Sequence, residues 1–232
     1  MLTLTSWRAR DIFFAMVLIS LLSLGIGIVD ELVLTGLQLS FLTMFDIIGL
    51  SVIFLILIYK YKLNVRAFYG LRHIGIAPLC VIFSLLVLVA RIVITNGWTD
   101  IKWLVQMIPQ LVSFEFFQFI LTRATSLILA PVWEEFLFRG VLFVVFLRKF
   151  GALSAYVVPS LFFAILHLDV DVFYGFEYVV GSVLVMLFVE SVIKTYVVHH
   201  TQSLTIPTLM HIATNITALA IQFLYLQAGY GG

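Results

Sequence analysis

Two adjacent carboxylates and a guanidinium, Glu134, Glu135 and Arg139, stand in "PVWEEFLFRG" (residues 131–140), inside an apolar run. Charges in such a run are expensive to take out of water, and they persist where they do chemistry or neutralise one another. Glu135 and Arg139 are four apart, the spacing of an ion pair along one helical face, whereas Glu134 points about 100° away. The spacing predicts that Arg139 neutralises Glu135 and that Glu134 is left available. Downstream, "FAILH" supplies His167, and "HIATN" supplies His211 and Asn215 four apart, on one face of a further helix. A buried acid, two imidazoles and an amide are groups with which a hydrolase works.

The elements that must position them follow from composition. The chain has 232 residues, is 63% hydrophobic and 11% charged, and contains 22 Phe. A soluble domain carries about a quarter charged residues, so this is the composition of a polytopic membrane protein. The formal net charge of +1 gives no reason to expect nucleic acid. A single cysteine, Cys80, lies in an apolar run, which excludes a disulfide framework and disfavours a thiol nucleophile. The apolar run after Arg10 has no small-residue cleavage site and reads as a retained span.

A bilayer core of roughly 30 Å takes about 20 helical residues to cross. The spans fall near 11–29, 38–59, 74–95, 124–149, 151–168, 175–198 and 203–226. The stretch 111–123, with Glu115, Gln118 and Thr122 three and four apart among Phe and Leu, reads as an interfacial amphipathic helix. The expectation is an all-α bundle of about seven spans, six to eight, forming one membrane domain over 1–232. Within it, 1–110 carries no motif and 124–226 is the catalytic core. Arg8, Arg10, Lys60, Lys62, Arg66, Arg72, Arg148, Lys149, Lys194, His199 and His200 fall on one set of loops and ends. Asp30, Glu31, Asp100, Asp169 and Asp171 fall on the other, so the N-terminus is expected in the cytoplasm of a cell-membrane protein.

In "FLRKFGALSA" (146–155), basic residues and a glycine mark a tight turn at the membrane surface. About residue 150 or 151, Glu134 lies as far before the turn as His167 lies after it. At 1.5 Å per residue both sit roughly 25 Å from that surface, at one depth. Each group also has a plainer reading. A lone intramembrane His or Asn is commonly interhelical hydrogen-bonding glue. Glu135 with Arg139 is structural by default, and Asp46 and the Glu190–Lys194 pair read as structural or interfacial. The set drawn from three helices is harder to dismiss. HExxH, GxGD and GxS nucleophile patterns are missing, which leaves a glutamate acting on water. Glu134 with two histidines could also hold zinc.

These residues resemble a known family. "EEFLFR" (Glu134, Glu135, Arg139) resembles the EExxxR motif, "FAILH" (Phe163, His167) the FxxxH motif and "HIATN" (His211, Asn215) the HxxxN motif of the CPBP family. That family, also called Abi, includes type II CAAX prenyl endopeptidases and bacteriocin-processing or self-immunity proteins. The resemblance covers about 124–220 and implies a metal-independent glutamate-type intramembrane protease without a cofactor. By that resemblance Glu134 activates water, His167 helps hold it, and His211 with Asn215 forms the oxyanion hole. Glu135 and Arg139 brace the motif, and Phe163 packs beside the site.

The expected substrate is a membrane-associated peptide or protein. The short chain looks like the bacterial branch, which favours such a substrate over a prenylated one. The alternative is a non-catalytic membrane scaffold or bacteriocin self-immunity protein that binds a membrane-protein partner. A zinc enzyme ranks third, because Asn215 is an odd zinc ligand and an apt oxyanion donor.

Overall fold

The computed structural model describes residues 68–71, 73–96, 106, 108–122, 127–128, 130–167 and 177–227. Spans one and two, Asp46 and the loops that hold Asp30, Glu31, Asp100, Asp169 and Asp171 lie outside these residues. The chain forms two compact units, Met1–Phe68 and Tyr69–Gly232, and the second carries every motif. Among the described residues all regular structure is helical.

A short 3₁₀ turn, Ile74–Ile76, leads into α1 (Ala77–Asn96). The stretch expected as one amphipathic helix over 111–123 is divided. A 3₁₀ turn runs over Ile108–Val112, and α2 begins only at Phe114 and ends at Thr122. The cause is Ser113, whose Oγ accepts the Phe116 amide at 3.1 Å and so caps a new helix instead of continuing the old turn. Glu115 then sits in the first turn, where a negative charge suits the helix dipole. Phe116 and Phe119 of α2 pack on Phe223 with ring centroids 5.2 and 5.4 Å apart.

The motif region is one helical run of three kinds: α3 (Ala130–Glu135), a π-helix (Phe136–Leu142) and α4 (Phe143–Leu166). The run Ala130–Leu166 is long and apolar enough to cross a membrane. It is not straight. Gly151 has φ 84 and ψ 178, a conformation that glycine adopts readily, and the chain doubles back there. A straight helix would hold Glu134 and His167 about 50 Å apart; they are in contact. Arg148, Lys149 and Phe150 are exposed just before the bend.

α4 packs along α5 (Glu177–Thr201), and α6 (Thr205–Gln227) packs against α1, α3 and α5. Ala155, Ser160 and Ala164 are fully buried on the second arm, and such small residues let helices approach closely. Ala77 of α1, Val197 of α5, and Ile206 and Met210 of α6 form one buried cluster. The turn from α5 to α6 is set by Gln202 at φ 55, and the Ser203 hydroxyl accepts the Thr205 amide at 3.2 Å.

Lys194 departs from the expected loop position. Its side chain is 1% exposed, nearly two turns inside α5, and its Nζ lies 2.8 Å from Glu190 Oε1. A carboxylate one turn earlier makes that burial tolerable, so Lys194 does not count toward the charge bias of the loops.

Candidate active site

The site is assembled by α3, the end of α4 and the first half of α6. Glu134 lies near the end of α3, two residues before the switch from i→i−4 to i→i−5 hydrogen bonding at Phe136, a departure frequent at functional sites. His167 ends the second arm of α4 at φ −100 and ψ 7. His211 lies on α6, 4% exposed.

Glu134 Oε2 lies 3.0 Å from His167 Nε2 and 3.6 Å from His211 Nε2. The other nitrogen of each ring is engaged. His167 Nδ1 meets the Phe163 carbonyl at 2.8 Å, and His211 Nδ1 meets Glu135 Oε1 at 2.9 Å. A carbonyl and a paired carboxylate can only accept, so both Nδ1 atoms carry the proton. In the neutral rings both Nε2 lone pairs therefore turn toward Glu134. At 3.0 Å a lone pair and a carboxylate would repel, so Glu134 and His167 share one proton across that contact.

Glu135 and Arg139 form the buried ion pair, 3.0 Å from Oε1 to Nη1, with side chains 0% and 1% exposed. Arg139 Nη2 also donates to Ser191 Oγ at 2.7 Å, which ties the π-helix to α5. The Arg139 guanidinium lies 4.5 Å from the Phe163 ring centroid. That ring stacks on His167 at 4.0 Å and meets His211 edge-on at 5.7 Å, so it steers both imidazoles. Lys194 Nζ lies 5.6 Å from the same ring centroid.

The side chains of Glu134 and His167 are 28% and 30% exposed, against 5% for His211. The Glu134–His167 pair is therefore reachable from outside while His211 backs it. Asn215, one turn beyond His211 on α6, is half-buried, and its side chain makes no hydrogen bond to another described residue.

Two relationships have no signature in the sequence. Spacing pairs Glu135 with Arg139 alone, yet Glu135 also grips His211. Tyr69 belongs to no motif, although its hydroxyl donates to the Val132 carbonyl at 2.7 Å, two residues before Glu134. Burial, with the negative charge of Glu135 nearby, pushes the Tyr69 phenol up and keeps it a donor. The adjacent Gly70 carbonyl accepts from Ser203 Oγ at 2.6 Å and Thr205 Oγ1 at 3.2 Å. One short stretch thus ties α3 to the start of α6. No spacing rule links residue 69 to residues 132 and 203.

A helical scaffold that holds a partly exposed carboxylate against an imidazole offers the groups of general acid–base chemistry. Residues 116–217 match the family model described as type II CAAX prenyl endopeptidase Rce1-like. The family read from the three motifs is the one that this match gives, and every residue of the cluster lies inside the matched segment. No curated protein and no solved structure matches the chain.

Proposed function

We propose that this protein is a multi-pass intramembrane endopeptidase that uses Glu134 to activate water, with no metal in the reaction. The contact of Glu134 Oε2 with His167 Nε2 at 3.0 Å carries this reading. Glu134 takes a proton from water as the water attacks the scissile carbonyl. His167, its ring fixed by the Phe163 carbonyl, gives the proton it already shares with Glu134 to the leaving amine, and the proton taken from water replaces it, so the pair ends with one proton as it began. Charge then develops on the carbonyl oxygen, and the Asn215 amide donates to it. His211 joins that donation only as an imidazolium, because its Nδ1–H is held by Glu135.

The substrate class is a membrane-associated peptide or protein. The matched family is named for prenyl substrates, so a prenylated C-terminal peptide belongs in the test beside an unmodified one. The N-terminus is assigned to the cytoplasm.

The experiment compares wild type with Glu134→Gln, purified in detergent, on both peptides. The substitution keeps the shape and removes the base, so turnover is expected to vanish while the fold persists. Unchanged cleavage by Glu134→Gln overturns the mechanism. A wild type that cleaves nothing, with a cellular role that survives Glu134→Gln, returns the protein to the scaffold alternative.

A further inference from the structure

We infer that Lys194 is a positioning residue of the reaction: its ammonium, locked inside α5 by Glu190 and set against the Phe163 ring, is a fixed positive charge that keeps Glu134 negative. The inference rests on the reading of Glu134 as the base.

Lys194 belongs to none of the three motifs. Its Nζ lies 2.8 Å from Glu190 Oε1, and the Ser84 hydroxyl of α1 donates to the same oxygen at 3.4 Å. A buried ion pair adds little stability over apolar side chains of similar size, so packing alone gives no account of this one. Its location does. Nζ also lies 5.6 Å from the centroid of the Phe163 ring, which stacks on His167 with centroids 4.0 Å apart. The ammonium is therefore no more than about 10 Å from the imidazole that shares a proton with Glu134, and at an effective dielectric constant of about 20 unit charges that far apart move a protonation equilibrium about tenfold.

The pair does not cancel at this centre. The Lys194 side chain is 1% exposed and that of Glu190 15%, so water screens the anion more than the cation. The charge of Lys194 acts on Glu134, Glu135, His167 and His211, and that of Glu190 on Arg139 and His211. The remaining groups that bear on Glu134 belong to the site itself. His167 of α4 and His211 of α6 adjoin it, and Arg139, on its own helical run, is paired with Glu135. Lys194 is thus the cation that reaches Glu134 from α5, a helix without a motif residue.

The chemistry supplies the need. Taking a carboxylate out of water favours its neutral acid, which cannot accept the proton of an attacking water, and a buried cation opposes that change.

The test uses the full chain in detergent and compares wild type, Lys194→Arg and the double variant Lys194→Met/Glu190→Gln, which removes the cation without leaving an anion behind. Lys194→Gln/Glu190→Gln, able to hydrogen-bond across the same contact, serves where the Met variant does not fold. Turnover per folded chain is followed against pH on the prenylated and unmodified peptides. In the double variant the acid-side midpoint of kcat should move up by about one pH unit, with turnover below it about tenfold under wild type. Lys194→Arg keeps the charge and should keep the wild-type profile. A second readout needs no turnover: the infrared carboxylic-acid band that Glu134→Gln removes should appear at higher pH in the double variant than in wild type.

An unmoved band overturns the inference whether turnover falls or not, since a fall without it is a packing effect. So does a folded Lys194→Arg that behaves like the double variant. A band that moves while turnover stays unchanged, or in a protein that cleaves nothing, supports the hold of Lys194 on Glu134 and sinks the reading of Glu134 as the base.

Discussion

His211 Nδ1 lies 2.9 Å from Glu135 Oε1, the same oxygen that Arg139 Nη1 reaches at 3.0 Å. One buried carboxylate oxygen thus joins the ion pair that braces the π-helix to the imidazole that faces Glu134. The second glutamate of the motif acts in two directions at once.

Glu135→Gln should therefore fail in two measurable ways. Removing the charge leaves Arg139 buried without its counter-ion, which costs about 3–5 kcal/mol, so the amount of folded protein should drop sharply. In the molecules that survive, His211 loses its anionic partner and turnover per folded chain should drop as well. Arg139→Ala should reduce folded protein with a smaller effect on turnover, since Arg139 touches neither imidazole directly and reaches them through Glu135 and the Phe163 ring. Equal turnover per folded chain in wild type and Glu135→Gln would show that the His211 contact is packing alone.

Asn215→Ala tests the donor assigned to the oxyanion. The Asn215 side-chain amide makes no hydrogen bond to another described residue, so its loss should leave the fold nearly unchanged. Turnover should fall by about 100- to 1000-fold, the scale for deleting one such donor. A tenfold change or less in a folded variant removes Asn215 from the reaction.

The hairpin and the meeting of Glu134 with His167 are legible in the sequence because both rest on local arithmetic. Basic residues and Gly151 mark the turn, and equal helical rises on its two sides bring residues 134 and 167 level. The π-helix is not legible, since Phe136–Leu142 has no composition that an α-helix would refuse. Its register slips around a fully buried Arg139 that must reach Ser191 on another helix, a demand set by tertiary packing. The same limit hides the grip of Glu135 on His211, 76 residues away. Lys194 misleads for a related reason: spacing pairs it with Glu190 but does not tell a pair at a helix end from one held inside the bundle.

That pair yields its own prediction. Lys194→Met alone leaves Glu190, only 15% exposed, without its cation, and folded protein should decline. Adding Glu190→Gln removes the orphaned charge, so the double variant should recover most of the lost amount. Abundance of wild type, Lys194→Met, Glu190→Gln and the double variant measured side by side decides it, and a double variant no better than Lys194→Met would refute the coupling.

Tyr69 lies before the matched segment 116–217 and bonds to a carbonyl inside it. Tyr69→Phe keeps the ring and deletes one hydrogen bond to the Val132 carbonyl. The expected loss is about 0.5–1.5 kcal/mol of stability, seen as a lower thermal midpoint. Turnover of the folded enzyme should change little. An inactive Tyr69→Phe variant with an unchanged midpoint would instead place the phenol in the reaction.

Phe163 offers the sharpest separation of packing from positioning. Its ring stacks on His167 at 4.0 Å, meets His211 at 5.7 Å and lies 4.5 Å from the Arg139 guanidinium. Phe163→Leu keeps most of the buried apolar surface and leaves the backbone carbonyl that holds His167 Nδ1 in place. Stability should fall by about 0.5–1.5 kcal/mol for the lost ring contacts. Both imidazoles, however, lose the flat surface that sets their planes. A misplacement of about 1 Å at such a centre can reduce the rate about 100-fold, so kcat should fall far more than the folded amount. Phe163→Tyr restores a ring and should recover much of the rate wherever its hydroxyl is accommodated. Wild-type kcat in folded Phe163→Leu would mean that Phe163 only fills space, and that the histidines are held by their hydrogen bonds to Glu135 and the residue 163 carbonyl alone.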